Sequence, residues 1–122
     1  MKSTKLNSVQ KGKLAEDIAE EYLRALGYKF YNRNVRIGRD EIDLVMFDPA
    51  EQVVVFVEVK SRTTPSSNYT PELNLTQSKR AKLFRSAHAW VDLCAYEGSY
   101  RIDVIYIAAG AVTGHIQEIT NT

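Results

Sequence analysis

The chain has a single cysteine, Cys94, among its 122 residues. No internal disulfide can form, so stability must come from a packed core, which a chain of this length can bury. Long apolar runs are also missing. The longest, Val53–Val57, is far too short to cross a bilayer. The first residues, MKSTKLNSVQKGK, lack the apolar stretch of a signal peptide. Together these absences predict a cytoplasmic protein with no membrane partner. There is no interdomain linker, internal repeat or low-complexity tract, so one domain over residues 1–122 is expected, with residues 1–8 flexible. Net charge is nearly absent too, at +1.

The distribution of charge is more informative than its sum. Residues 40–58 hold six acids and no Lys or Arg, residues 1–39 nine bases against four acids, and residues 60–101 seven bases against three. An acidic centre between basic flanks suits a protein that grips a polyanion through a bound cation. Chance clustering in a short chain would look the same.

Periodicity places the elements. VQKGKLAEDIAEEYLRAL (residues 9–26) reads as an amphipathic helix, with Leu14, Ala15, Ile18, Ala19, Tyr22, Leu23 and Leu26 on its apolar stripe and Gly27 as its stop. Asp17, Glu20, Glu21 and Arg24 fall opposite, whereas Glu16 lies at the border of the stripe. Strands are expected at 28–35, 41–47 and 52–60, the last two as a hairpin. Residues 61–75 read as a loop. Thr76 caps a helix over 77–95, whose inner face is read as Ala81, Phe84, Ala87, His88, Val91, Cys94 and Ala95. Strands at 100–108 and 115–119 follow. The order α-β-β-β-α-β-β makes a mixed α/β domain.

The segment FVEVKSR (residues 56–62) holds the central chemical signal. Strand side chains alternate, so Glu58 and Lys60 share a face with Arg62 beyond them. In EIDLV (residues 41–45), Ile42 and Leu44 are expected on one face, and Glu41, Asp43 and Val45 on the other. A carboxylate between apolar neighbours is expensive to bury alone. If Asp43 and Glu58 converge, a divalent cation explains why, and oxygen ligands suit Mg²⁺ or Mn²⁺ rather than zinc. Such a metal would activate water against a phosphodiester, with Lys60 orienting it or offsetting charge. Glu16 could reach the rim of the site. Lys79, Arg80, Lys82, Arg85 and Arg62 are candidate phosphate contacts, with a solvated helix face as the plain alternative for the four on the helix. Arg33 and Arg36 read as solvated strand residues. Asp103 reads as a partner for a nearby Arg. Trp90, Tyr96, His88 and Cys94 read as packing residues, and His115 receives no role.

The pattern D43-x14-E58-x-K60, with this element order, resembles the restriction-endonuclease-like nucleases. EDIAEEYLRALGY (16–28), NRNVR (32–36), EIDLV (41–45), VVFVEVKSR (54–62) and RIDVI (101–105) more closely resemble the YraN-type family of uncharacterised bacterial proteins. That family is similar in turn to archaeal Holliday-junction resolvases. The resemblance implies metal binding by Asp43, Glu58 and the backbone carbonyl of Val59, an accessory role for Glu16, and a catalytic role for Lys60. The implied substrate is DNA, including branched or repair intermediates. A cutter of symmetric junctions needs two sites and so expects a homodimer. Two residues depart from the family pattern. Asp40 and Ala15 stand where glycine is usual, and Asp40 is expected to alter the turn before Asp43 and add negative charge near the metal. Two further readings stay open. One is a binding module that keeps the fold without cutting. The other is a scaffold whose charged strand end is merely solvated, which expects Asp43 and Glu58 to lie far apart.

Overall fold

A computed structural model describes residues 5–62 and 75–121. The elements are α1 (Ser8–Ala25), β1 (Lys29–Ile37), β2 (Asp40–Asp48), β3 (Val53–Arg62), α2 (Gln77–Leu93), β4 (Tyr100–Ala108) and β5 (Ala111–Ile116). This is the mixed α/β order read from the sequence. The strands form one sheet in the order β1-β2-β3-β4-β5. Only β3 and β4 pair in parallel, because the α2 crossover returns the chain in the same direction.

Local chemistry sets the helix ends. Asn7 Oδ1 accepts from the Gln10 N–H at 2.8 Å, and Gln10 Oε1 accepts from the Asn7 N–H at 2.9 Å, closing a capping box. At the other end Gly27 takes φ +98°, and the Tyr28 and Gly27 N–H groups reach back to the carbonyls of Leu23 and Arg24. Glycine suits that left-handed position because it has no Cβ. Thr76 caps α2 through the Lys79 N–H.

The central strands are apolar on both faces, as a sheet covered on both sides requires. On one face Ala15, Ala19 and Leu23 of α1 pack against Leu44, Met46, Val55, Val57, Ile105 and Ile107. On the other, Ala87 and Trp90 of α2 pack against Ile42, Val45, Val54, Phe56, Ile102 and Val104.

The inner face of α2 differs from the expected one. Ser86, Ala87 and Trp90 are buried, while His88 and Cys94 are exposed. Ser86 can enter the core because its hydroxyl donates within the helix, to the Lys82 or Leu83 carbonyl. That rotates His88 into solvent, 3.6 Å from Asp92. Cys94 is the C-cap residue. The expected loop is split: Ser61 and Arg62 extend β3, Leu75 is buried, and residues 63–74 lie outside the described residues, as do residues 1–4 of the segment 1–8 expected to be flexible. Among the described residues no helix is long and apolar enough to cross a membrane.

A buried charge network ties the α1 side together. Arg101 is 8% exposed and Asp103 fully buried. The Arg101 guanidinium donates to Asp103 (3.1 Å), Asp48 (3.2 Å), Glu51 (2.7 Å) and the Tyr28 hydroxyl. Asp103 also meets His115 Nε2 at 2.8 Å and the Glu118 N–H at 3.0 Å, and Tyr22 of α1 lies 3.1 Å from His115 Nδ1. Asp103 is thus the arginine partner expected of it. His115, given no role from sequence, links α1 to the sheet. Removing Arg101 would strand buried carboxylates, so Arg101→Ala is expected to cost about 3–5 kcal/mol in urea unfolding. An exposed control, Lys29→Ala, should lie within about 0.5 kcal/mol of wild type.

Candidate metal centre

The site lies where the sheet opens. β2 and β3 pair from Asp48–Val53 to Leu44–Val57, and their ladder ends there. Asp43 comes next, and its Oδ2 accepts the Val59 N–H at 2.8 Å. A side chain thus takes the N–H on the edge of β3 that β2 has left. In an extended strand the N–H and C=O of one residue leave by the same edge, so the Val59 carbonyl faces the same gap.

Alternation in β2 breaks at Asp43. Ile42 and Val45 join the core under α2, whereas Leu44 joins the core under α1. The expectation that Ile42 and Leu44 share a face therefore fails. The break is matched across the hairpin. Asn34 lies between the pairs Arg33–Leu44 and Val35–Ile42 and takes φ 53°. Asparagine is among the few residues that enter this region at low cost.

The paired break gathers carboxylates. Glu16, Glu41 and Asp43 each bring an oxygen within 4.8 Å of the others. Asn34 Nδ2 donates to Glu16 Oε1 at 2.9 Å and to Glu41 Oε1 at 3.0 Å. Glu58 lies close enough to Asp43 to disfavour its charge, and Lys60 Nζ is 4.0 Å from Glu58 Oε1. Asp43 and Glu58 are therefore neighbours, contrary to the scaffold reading, which expects them far apart. Glu41, Asp43 and Glu58 also line a cavity of about 10 Å³ with Leu83 and Ser86 of α2, roughly the space of one water.

Arg33 orients the helix that carries Glu16. Its guanidinium donates to Glu16 (3.4 Å), Asp17 (2.6 Å) and the Lys13 carbonyl (2.9 Å), and lies 3.6 Å from Glu20. It is a clamp between β1 and α1, not the solvated residue expected, and it draws in Glu20 from the face read as solvent. Arg36 is 72% exposed, as read. Sequence reading gave Glu41 and Asn34 no role. The available signal for Asn34 was its tolerance of left-handed backbone inside a strand.

The candidate phosphate contacts divide. Lys79 and Lys82 are exposed on α2, and Arg62 is exposed at the end of β3. Arg80 donates to the carbonyls of Leu75 and Thr120, both at 3.0 Å. Arg85 forks onto Asp40 through two bonds of 3.0 Å. Asp40 therefore faces a guanidinium that offsets the negative charge it was expected to add near the site.

Burial, then the neighbouring Glu58, pushes the Asp43 carboxyl up to about 8, with Glu41 adding to the effect and the Val59 N–H opposing it. Burial and Asp43 raise Glu16, against the lowering pull of Asn34 and Arg33. Among the described residues Asp43 has no cationic partner. This chemistry fits a hard divalent cation: clustered oxygen donors, mutually repelling, with one neutral carbonyl beside them.

A folded-state value above the ordinary carboxylate range means that the native chain holds this proton more tightly than the unfolded chain. Without metal, stability should be greatest below about pH 4 as far as this group decides it, and fall as pH rises towards 8. Urea midpoints measured in EDTA across this range should show the decline, and Asp43→Asn should flatten it.

A family model described as "Uncharacterised protein family UPF0102" matches residues 15–107. Relatives named "UPF0102 protein" include one from Cytophaga hutchinsonii, 32% identical over 94% of this chain and 99% of its own. Another, from Mycolicibacterium gilvum, is 39% identical over 90% of this chain and 88% of its own. A third, from Mycobacterium tuberculosis, is 35% identical over 95% and 91%. Among solved structures, Pyrococcus furiosus SfsA in complex with Ca²⁺ aligns with 89% of this chain and 61% of its own, at 14% identity and a TM-score of 0.33. A likeness that slight carries no argument about function.

Proposed function

We propose that this chain, which belongs to the uncharacterised protein family UPF0102, is a Mg²⁺- or Mn²⁺-dependent endonuclease that hydrolyses phosphodiester bonds in DNA, branched or repair intermediates included. The observation that carries the reading is the Asp43 carboxylate inserted between β2 and β3, accepting from the Val59 N–H and lining one small cavity with Glu58, with Lys60 alongside Glu58. A pure binding surface does not need a carboxylate so costly to hold there.

Asp43, Glu58 and the Val59 carbonyl would hold the metal, with Glu16 as an accessory ligand or water contact. Bound there, the ion supplies Lewis acidity towards a phosphate oxygen and lowers the pKa of water. Glu16 is held by Asn34 and Arg33 through one oxygen, which leaves the other to meet water. Lys60 is the cation beside Glu58, suited to orient the attacking water or offset charge growing on the phosphate oxygens. Arg62, Lys79 and Lys82 are the proposed backbone contacts. Arg80 reaches phosphate only by giving up its two carbonyl partners. The reading places the protein in the cytoplasm and, for symmetric junctions, as a homodimer. A second reading, a nucleic-acid or protein-binding module, draws on the small size and the net charge of only +1.

The test is cleavage of labelled single strand, duplex, flap and four-way junction DNA with Mg²⁺, Mn²⁺ or EDTA. Wild type should cut with either metal and not in EDTA. Asp43→Ala and Lys60→Ala should each lose at least about 100-fold. Salt-sensitive binding without cutting would favour the binding module, and cutting that persists in both variants would remove the reading.

A further inference from the structure

We infer that the Asp40–Arg85 ion pair, by pinning the β1–β2 turn to α2, makes Arg39 and Lys82 a joint contact for the phosphate backbone of a nucleic acid lying beside the acidic site. The inference rests on the nuclease reading for its partner, takes Lys82 from it, and adds residues that the reading leaves without a role. Arg39 and the Asp40–Arg85 pair have no part in the proposed chemistry.

The turn and the helix come from distant parts of the chain. Asp40 opens β2 and is buried, and Arg85 reaches it from α2 with both bonds of a guanidinium fork. Each partner has an exposed cation close to it in the chain, Arg39 immediately before Asp40 on the turn and Lys82 three residues before Arg85 on the helix. Both lie near enough to pull the Asp40 carboxyl below its ordinary value, after Arg85, which pulls hardest. Three cations thus surround one carboxylate that is already paired. Among the described residues neither the Arg39 nor the Lys82 side chain makes a hydrogen bond or ion pair. The fold holds like charges together where an unpinned turn would let them separate. An incoming polyanion relieves that repulsion, and an exposed cation pair draws one in.

The surface also has the right neighbours. Arg39 is two residues before Glu41, and Lys82 one before Leu83. Glu41 and Leu83 are both lining residues of the cavity that holds Asp43 and Glu58. A strand whose phosphate sits at the acids therefore passes the cation pair within a residue or two of either wall. The opposite charges divide the work: acids for the metal, the pinned pair for a neighbouring phosphate.

The test is binding of fluorescent single-stranded and duplex DNA in EDTA, where nothing is cut, across a range of salt. Arg39→Gln and Lys82→Gln should each reduce the slope of log affinity against log salt by about 1. Lys29→Gln, the same charge change at the far end of β1, should leave the slope unchanged. Asp40→Asn should keep a folded chain by circular dichroism and should abolish the additional effect of Arg39→Gln. Unchanged slopes in both cation variants, an equal loss in Lys29→Gln, or an undiminished Arg39→Gln effect in the Asp40→Asn background would each overturn the inference. Wild type that binds no DNA would remove the nuclease reading and the inference together. Wild type that binds through these residues but never cuts would remove only the enzyme.

Discussion

The hydrogen bond from the Val59 N–H to the Asp43 carboxylate is the constraint around which the site is organised. A sheet that opens between two central strands exposes backbone groups that must find partners. Asp43 meets one of them, and in doing so brings a carboxylate into the sheet itself. Everything near it follows from accommodating that group. β2 changes which face its side chains take, β1 changes opposite it at Asn34, and the hairpin end swings to bring Glu41 beside Glu16. The acids are not scattered surface charges that happen to meet. They are set by one backbone irregularity shared by two strands.

Asp103 is also a buried carboxylate, but it is met by a guanidinium, an imidazole and a backbone N–H. That is how a fold stabilises a buried charge for structural ends. Asp43 is met by one N–H and surrounded by other acids, with Lys60 only as near as Glu58. The first arrangement is complete without a ligand, and the second gains from a cation. The same chain therefore keeps a structural network apart from a chemical one, although β2 contributes to both through Asp48 and Asp43.

Its basic residues divide in the same way. Arg33, Arg80, Arg85 and Arg101 are committed to carboxylates and carbonyls that join elements. The rigid guanidinium fork suits such joints better than an ammonium does. Lys79 and Lys82 stay in solvent. A net charge of +1 thus conceals a chain whose arginines largely hold the fold while its exposed lysines remain available.

Periodicity determined much of what the sequence alone could determine: two helices, the Gly27 stop of the first and the Thr76 cap of the second, five strands and their order. It also brought out Asp43, Glu58 and Lys60, because a carboxylate within an apolar strand conflicts with burial and is visible as that conflict. Pattern reading assumes unbroken alternation, however, so it placed Ile42 with Leu44. It assumed that charged residues face water, so it left Arg33 in solvent and gave His115 nothing. It put His88 and Cys94 on the inner face of α2, where the structure exposes both and buries Ser86. Only the tertiary structure decided where alternation breaks, which arginine meets which acid, and that Asn34 and Glu41 belong to the site. Those outcomes depend on contacts between residues far apart in the chain, and side-chain periodicity within one element carries no information about them.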